Sequence, residues 1–212
     1  MRNLLRMMAV AVAAALAGAG TSRAAGLQID LGKSLSYYRV HGLPADLPPA
    51  PAGRPGPCIL DLRFAKADGA GAGLLSAWVK FNASPAAPVF VLENADTSPA
   101  LLALFPSSGA GDVIVLAPAS EKLSPTVAVH VDPSADRQAY DAVEKGASLA
   151  SLLTDNPAKP RIDEAYLEKE HLSDSDAPDI ETDKDSPPSP LVDAMVQRAV
   201  QLHRGLIALK RI

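Results

Sequence analysis

The chain has 212 residues, of which 48% are apolar, 21% charged and 4% aromatic, with 19 Pro, one Cys and a formal net charge of −4. That apolar fraction excludes wholesale disorder and points to one globular domain. The mildly acidic balance offers nucleic acid no basic face, and a single Cys forms neither an internal disulfide nor a thiolate zinc cage.

In chain order, Arg2 and Arg6 precede the uncharged residues 7–19, and Ser22-Arg23-Ala24 puts small residues at the −3 and −1 positions of a cut. This three-part layout predicts a secretory signal peptide over residues 1–24. The uncharged run has 13 residues, short of the ~20 that a membrane-spanning helix needs. The mature chain is therefore expected in the periplasm or outside the cell, without a stable membrane anchor. Residues 27–31 and 35–40 alternate apolar and polar side chains around Gly32-Lys33-Ser34, which predicts a short hairpin. Six prolines between positions 44 and 57 then mark a connector, because Pro supplies no ladder donor and favours extended backbone. Hairpin and connector together occupy residues 25–57.

Short apolar runs separated by helical stretches begin at Cys58 and define an expected core over 58–162. Strands are predicted at 58–63, 89–92, 112–116 and 126–131. One helix is predicted over 73–81, with Leu74, Leu75, Trp78 and Phe81 inward. Another is predicted over 98–105, with Pro99 in its first turn and Leu101, Leu102 and Phe105 inward. The alternation implies an α/β fold: a parallel or mixed sheet with crossover helices. Active groups in such sheets stand in loops at the C-terminal strand ends, here 64–73, 93–98 and 117–122. Cys58 reads as a buried filler, since Ile59 and Leu60 follow it directly.

Beyond Val131 the periodicity weakens. Residues 163–185 hold ten acids against Lys169 and Lys184, a block too polar to bury itself, so an acidic linker is predicted over 163–188. The chain then closes with an amphipathic helix over 189–212. Ser189 is placed to cap it, Pro190 fits its first position, and Leu191, Met195, Val196, Ala199, Leu202, Leu206 and Leu209 recur at spacings of three and four.

Few residues suggest chemistry by spacing. No two of His41, His130, His171 and His203 share a helix or strand face, so no metal site is predicted. Gly69-Ala-Gly71-Ala-Gly73 lacks the Lys and the spacing of a phosphate loop and reads as a flexible strand-to-helix turn. No cofactor motif is present.

The segment Ile-Leu-Asp-Leu-Arg-Phe-Ala (59–65) resembles the Leu-Asp-Leu-Arg strand of the C-terminal-processing, or tail-specific, serine peptidases, whose core has the Clp protease/crotonase fold. Three further segments are similar to an exported bacterial branch of that family: Val-Leu-Glu-Asn-Ala-Asp-Thr (91–97), Pro-Arg-Ile-Asp-Glu-Ala-Tyr-Leu (160–167) and Pro-Leu-Val-Asp-Ala-Met-Val-Gln-Arg-Ala-Val (190–200). The resemblance implies a nucleophilic Ser at the start of the helix after the second strand, a Lys able to take its proton, and backbone donors facing the oxyanion. It places that nucleophile two residues after Thr97, a position held here by Pro99. Pro has no attacking oxygen and removes a backbone donor. The Gly-Gly pair that the family places after Leu-Asp-Leu-Arg is replaced by Lys66-Ala67-Asp68. The family's separate peptide-binding domain has no room in the 26 residues between Val40 and Ala67.

The expectation is thus an exported, catalytically inactive domain that binds or scaffolds a peptide or protein, with an oligomeric state the residues do not fix. The alternative is a residual hydrolase that uses Ser98 as nucleophile and Lys122 as base. Against it, Glu121 beside Lys122 favours the protonated amine, and a Ser before a Pro is foremost a helix cap. An inactive rhodanese-like domain ranks last, because the loop after 89–92 has no Cys.

Overall fold

The computed structural model describes residues 27–51, 53–105, 112–120, 123, 125–154 and 191–212. The expected signal peptide, the acidic stretch 163–188, the 160–167 segment and Lys122 lie outside these residues.

The chain opens with β1 (Gln28–Asp30) and β2 (Ser36–Arg39), paired antiparallel with Gln28 opposite Tyr38 and Asp30 opposite Ser36. Gly32, Lys33 and Ser34 all take positive φ at the turn, and the Leu35 amide donates to the Gly32 carbonyl at 3.0 Å. Four parallel neighbours follow: β3 (Cys58–Asp61), β4 (Val89–Leu92), β5 (Val113–Pro118) and β6 (Val127–Val129). The spatial order β1-β2-β3-β4-β5-β6 is the chain order. The sheet is thus mixed by virtue of β1 alone, and the hairpin extends the same sheet as the core strands. An order that never reverses has no switch-point crevice, so a site must be made by whatever roofs the strand ends.

Each sheet face has its own cover. Helix α1 (Gly69–Asn82) and the single turn α2 (Pro99–Leu102) carry the crossovers from β3 to β4 and from β4 to β5. They pack Leu75, Trp78, Val79 and Leu101 on Leu60, Leu62, Val89 and Val91. After β6 the chain passes to the other face. There α3 (Pro133–Glu144), a 3-10 turn (Leu149–Leu152) and α4 (Ala194–Ala208) cover Tyr37, Ile59, Phe90, Leu92 and Leu116. Strands buried on both faces explain the near-continuous apolar runs at 58–62 and 89–92.

Several elements depart from the periodicity. Helix α1 starts at Gly69, because Asp68 accepts the Gly71 amide at 2.7 Å and caps it. The glycine run is therefore the first helical turn, and a Cβ on Gly71 would meet the Leu43 Cβ at 2.9 Å. Leu75 and Trp78 face inward as expected, whereas Leu74 and Phe81 are exposed. Helix α3 stands where the periodicity is weak, started by Asp132, which accepts the Ser134 and Ala135 amides, and by Pro133 in its first turn. Helix α4 begins at Ala194 rather than after Ser189. Its cap is Asp193, which accepts the Val196 amide at 3.0 Å and is itself fully buried. Leu191 and Leu209, assigned to the apolar stripe, are exposed. Cys58 is buried, and burial pushes its thiol up to about 12, the state of an inert filler.

Helix α4 is bound to the sheet by more than the covalent chain. Met195, Val196 and Ala199 are fully buried, each large apolar side chain contributing about 1.5–3 kcal/mol. The Asp193 amide donates to the Leu152 carbonyl at 2.9 Å. The Gln197 side chain grips both backbone groups of Thr154, at 2.8 and 2.7 Å. A chain cut at a protease site inserted between residues 160 and 185 is therefore expected to keep both fragments in one peak on native size-exclusion chromatography. Asp193→Ala is expected to let the C-terminal fragment go. Separation of the fragments in the otherwise unaltered cut chain would refute this.

Candidate functional site

Strand alternation sends Ile59, Asp61 and Arg63 to the face covered by α3 and α4, and Leu60 and Leu62 to the other. The apolar side chain thus comes early on the first face, and the charges come at its C-terminal end. Arg63 is fully buried there. Its guanidinium donates to Asp61 at 3.0 and 2.8 Å, to Asp136 of α3 at 2.6 Å and to Asp193 at 3.1 and 2.8 Å. Asp61 also accepts the Tyr37 hydroxyl at 2.6 Å. One strand register away, the buried Arg39 donates to the Tyr37 hydroxyl at 2.9 Å, to the Tyr140 carbonyl at 3.1 Å and to Glu144 at 2.9 Å. Its carbon Cζ stacks 4.0 Å from the Tyr140 ring centroid.

The titration of these groups follows their partners. Burial alone would raise the Asp61 carboxyl, but the charges of Arg63 and Arg39 and the bonds from Arg63 and Tyr37 hold it below the usual carboxylate range. For Asp136 burial wins over Arg63, helped by the neighbouring charges of Asp193 and Asp61, and its carboxyl is raised. Burial is also the main cause that lifts Tyr140 to about 12. Arg63 itself rises, because three carboxylates outweigh the burial that opposes its charge.

Beside this clamp, a cavity of about 500 Å³ opens at the C-terminal ends of β2, β3 and β4, roofed by α3. His41 follows β2 and meets Glu144 at 2.8 Å, and its hydrogen bond is the main cause holding the Glu144 carboxyl below its ordinary value. Phe64 follows β3 with φ +62°, a left-handed conformation costing about 1–2 kcal/mol in a residue with a bulky side chain. Asn94 holds it there, its side-chain oxygen accepting the Phe64 amide at 3.2 Å and the Asp96 amide at 3.1 Å. The Phe64 ring meets Tyr140 edge to face at 4.8 Å, and the Arg137 guanidinium lies 4.6 Å from its centroid.

Of the sequence candidates, Ser98 does not line this cavity. Ser98 is buried at the start of α2, and its amide donates to the Ala65 carbonyl at 3.0 Å. It occupies the N-cap position without making the side-chain bond of a cap; its Oγ instead accepts the Ala67 amide at 3.2 Å. Thr97 before it donates to the Leu62 carbonyl at 3.0 Å and accepts the Asn94 amide at 3.0 Å. Pro99 fills the first helical position. Lys122 lies outside the described residues. Lys66, noted only as replacing a glycine, lines the cavity and donates to the Asp96 carbonyl at 3.0 Å. Among the described residues, no three His, Cys, Asp or Glu side chains are grouped to hold a metal ion.

Arg39, His41, Arg137, Tyr140 and Glu144 form a group that no motif in the sequence marks. One signal was available: Asp136, Tyr140 and Glu144 recur at a spacing of four after Asp132-Pro133, which puts them on one face of a capped helix. No protein-family model, curated protein or solved structure matches this chain.

Arg63→Met leaves three buried carboxylates facing one another. It is expected to cost about 3–5 kcal/mol in urea unfolding at pH 7, with little recovery in Arg63→Lys, which cannot form the two-pronged bonds. A loss under ~1 kcal/mol, within the range of a surface pair, would contradict the clamp.

Glu93, directly after β4, gives a second measurable consequence. It is 4% exposed, its Oε1 has no partner among the described residues, and burial pushes its carboxyl up to about 8. Between pH 5 and 8 the folded chain therefore keeps a proton that the unfolded chain has released, so stability falls as pH rises, by about 1.4 kcal/mol per unit from one group. Asp61 acts oppositely. Its contribution is present above the unfolded carboxylate value and is lost as pH falls through its lowered folded value. Glu93→Gln is expected to flatten the loss between pH 5 and 8 in denaturant titrations; parallel profiles would rule out the shifted proton.

Proposed function

We propose that this chain is an exported, catalytically silent relative of the tail-specific serine peptidases, acting by binding or scaffolding a peptide or protein rather than by cutting it. The proposal includes a Clp protease/crotonase-like core, with which a parallel run of strands in chain order and crossovers stacked on one face is compatible. Export rests on the charge and apolar layout of residues 1–24; among the described residues no helix is long and apolar enough to cross a membrane.

The observation that carries the reading is the state of the corner at residues 97–99. A serine nucleophile needs an oxygen open to substrate, a base beside it and backbone N–H groups free to face an oxyanion. Here the Ser98 Oγ is occupied by the Ala67 amide, and the Ser98 amide is spent on the Ala65 carbonyl. Pro99 contributes no donor. The donors that would stabilise a developing charge are thus used to hold the corner together. In the residual-hydrolase reading Ser98 would have to attack from a buried corner with the one lone pair that Ala67 leaves it.

A fluorophosphonate probe tests this directly. The purified protein is expected to label no more than Ser98→Ala does. Labelling that disappears in Ser98→Ala would overturn the silent reading and establish Ser98 as a nucleophile.

A further inference from the structure

The cavity under α3 is built from charged groups that are each anchored on one side and open on the other. We propose that it binds a small zwitterion with one ammonium, one carboxylate and an apolar body: a free apolar α-amino acid or a dipeptide. The inference does not use Ser98, which neighbours the cavity without lining it.

Two cations supply the carboxylate subsite. Arg137 spends its Nε on Asp141 at 2.9 Å and rests on the Phe64 ring, so its outer nitrogens keep their donors. Lys66 gives the Asp96 carbonyl one bond at 3.0 Å, from an ammonium that carries three donors. Two acids supply the ammonium subsite. Glu144 takes both Arg39 and His41 on Oε1, leaving Oε2 as acceptor. The Asp96 carboxylate accepts no hydrogen bond among the described residues. Phe64 and Tyr140 add apolar surface to the same lining. Asp141, the third acid of the lining, already holds Arg137; a simple anion would meet the acids and a simple cation the bases, whereas a molecule carrying both charges satisfies both.

Rigidity and size agree with this. The buried Arg39 and Arg63 pack against Tyr140, Asp46 accepts the His41 amide at 2.9 Å, and Asn94 pins the strained Phe64. Side chains already fixed lose little freedom on binding. A φ of +62° at Phe64 costs stability that better sequences avoid, and such strain clusters where a backbone serves a ligand. The volume of about 500 Å³ falls within the range of small-ligand pockets, about 300–1,000 Å³.

The test is calorimetric titration of the full chain at pH 7 with leucine, phenylalanine and Leu-Leu, alongside N-acetylleucine and leucinamide. Saturable heat is expected with at least one of the zwitterions, the amino acids or Leu-Leu responding according to the true ligand length. Each blocked analogue is expected to bind about tenfold or more weaker, since one charged subsite is then unpaired. Arg137→Ala is expected to weaken binding about tenfold and Lys66→Ala to weaken it less, both without loss of the fold because the two side chains are exposed. Ser98→Ala is expected to bind unchanged. Silence of all three zwitterions would overturn the proposal. So would equal binding of a blocked analogue, or undiminished binding in folded Arg137→Ala.

Discussion

A guanidinium with no exposed surface must be surrounded by acceptors, because the desolvation of an ionised group costs several kcal/mol. Arg63 meets that demand from three places in the chain: Asp61 two residues back, Asp136 on α3 and Asp193 at the head of α4. All five of its N–H groups are bonded in this way, so the pose of both helices against the sheet is tied to a single side chain. Apolar packing beneath them is stronger in sum but tolerant of sliding. The ion cluster lacks that tolerance and supplies direction. Its imbalance, two buried arginines against three buried aspartates, is relieved in part by the raised Asp136 carboxyl.

The same cluster shapes the cavity. Arg39 and Arg63 both pack against Tyr140, and Arg39 holds its carbonyl, fixing the middle turn of α3 above the strand ends. One turn later Glu144 bridges Arg39 inside and His41 outside, which carries the order of the core into the open wall. On the opposite side of β3 the strand's own backbone secures a different corner: the Leu62 and Ala65 carbonyls take Thr97 and Ser98. A strand with period two thus serves two structures at once, a charged clamp by its odd side chains and a packed corner by its backbone.

How much of this the sequence disclosed depended on range. The hairpin, the central strands and the closing helix were legible, since alternation at 27–40, apolar runs at 58–62 and 89–92, and recurrence through 195–206 are local patterns set by local burial. The α/β class followed from their succession. Element starts were misplaced at Gly69 and Ala194 because capping depends on which acid is held elsewhere, and Asp193 is held by a residue 130 positions earlier. Helix α3 was obscured because its inward face opens on a charge. Asp136 counts as solvent-facing in any periodicity, and only the buried Arg63 makes it an inward residue. Ser98 stands at the start of a helix as its place before Pro99 suggests, but its bond to the Ala67 amide belongs to a turn that no local pattern draws.

Fold and chemistry are separable here for a geometric reason. The clamp needs carboxylates at 61, 136 and 193 and a guanidinium at 63, all on one face of the sheet. The corner at 97–99 lies on the other face and touches β3 through carbonyls that any side chain would present. Pro99 there starts the first helical turn, and the bonds of Thr97 and Ser98 that hold the corner use no group of the clamp. The clamp and the corner thus draw on different atoms of one segment, side chains for the first and backbone groups for the second.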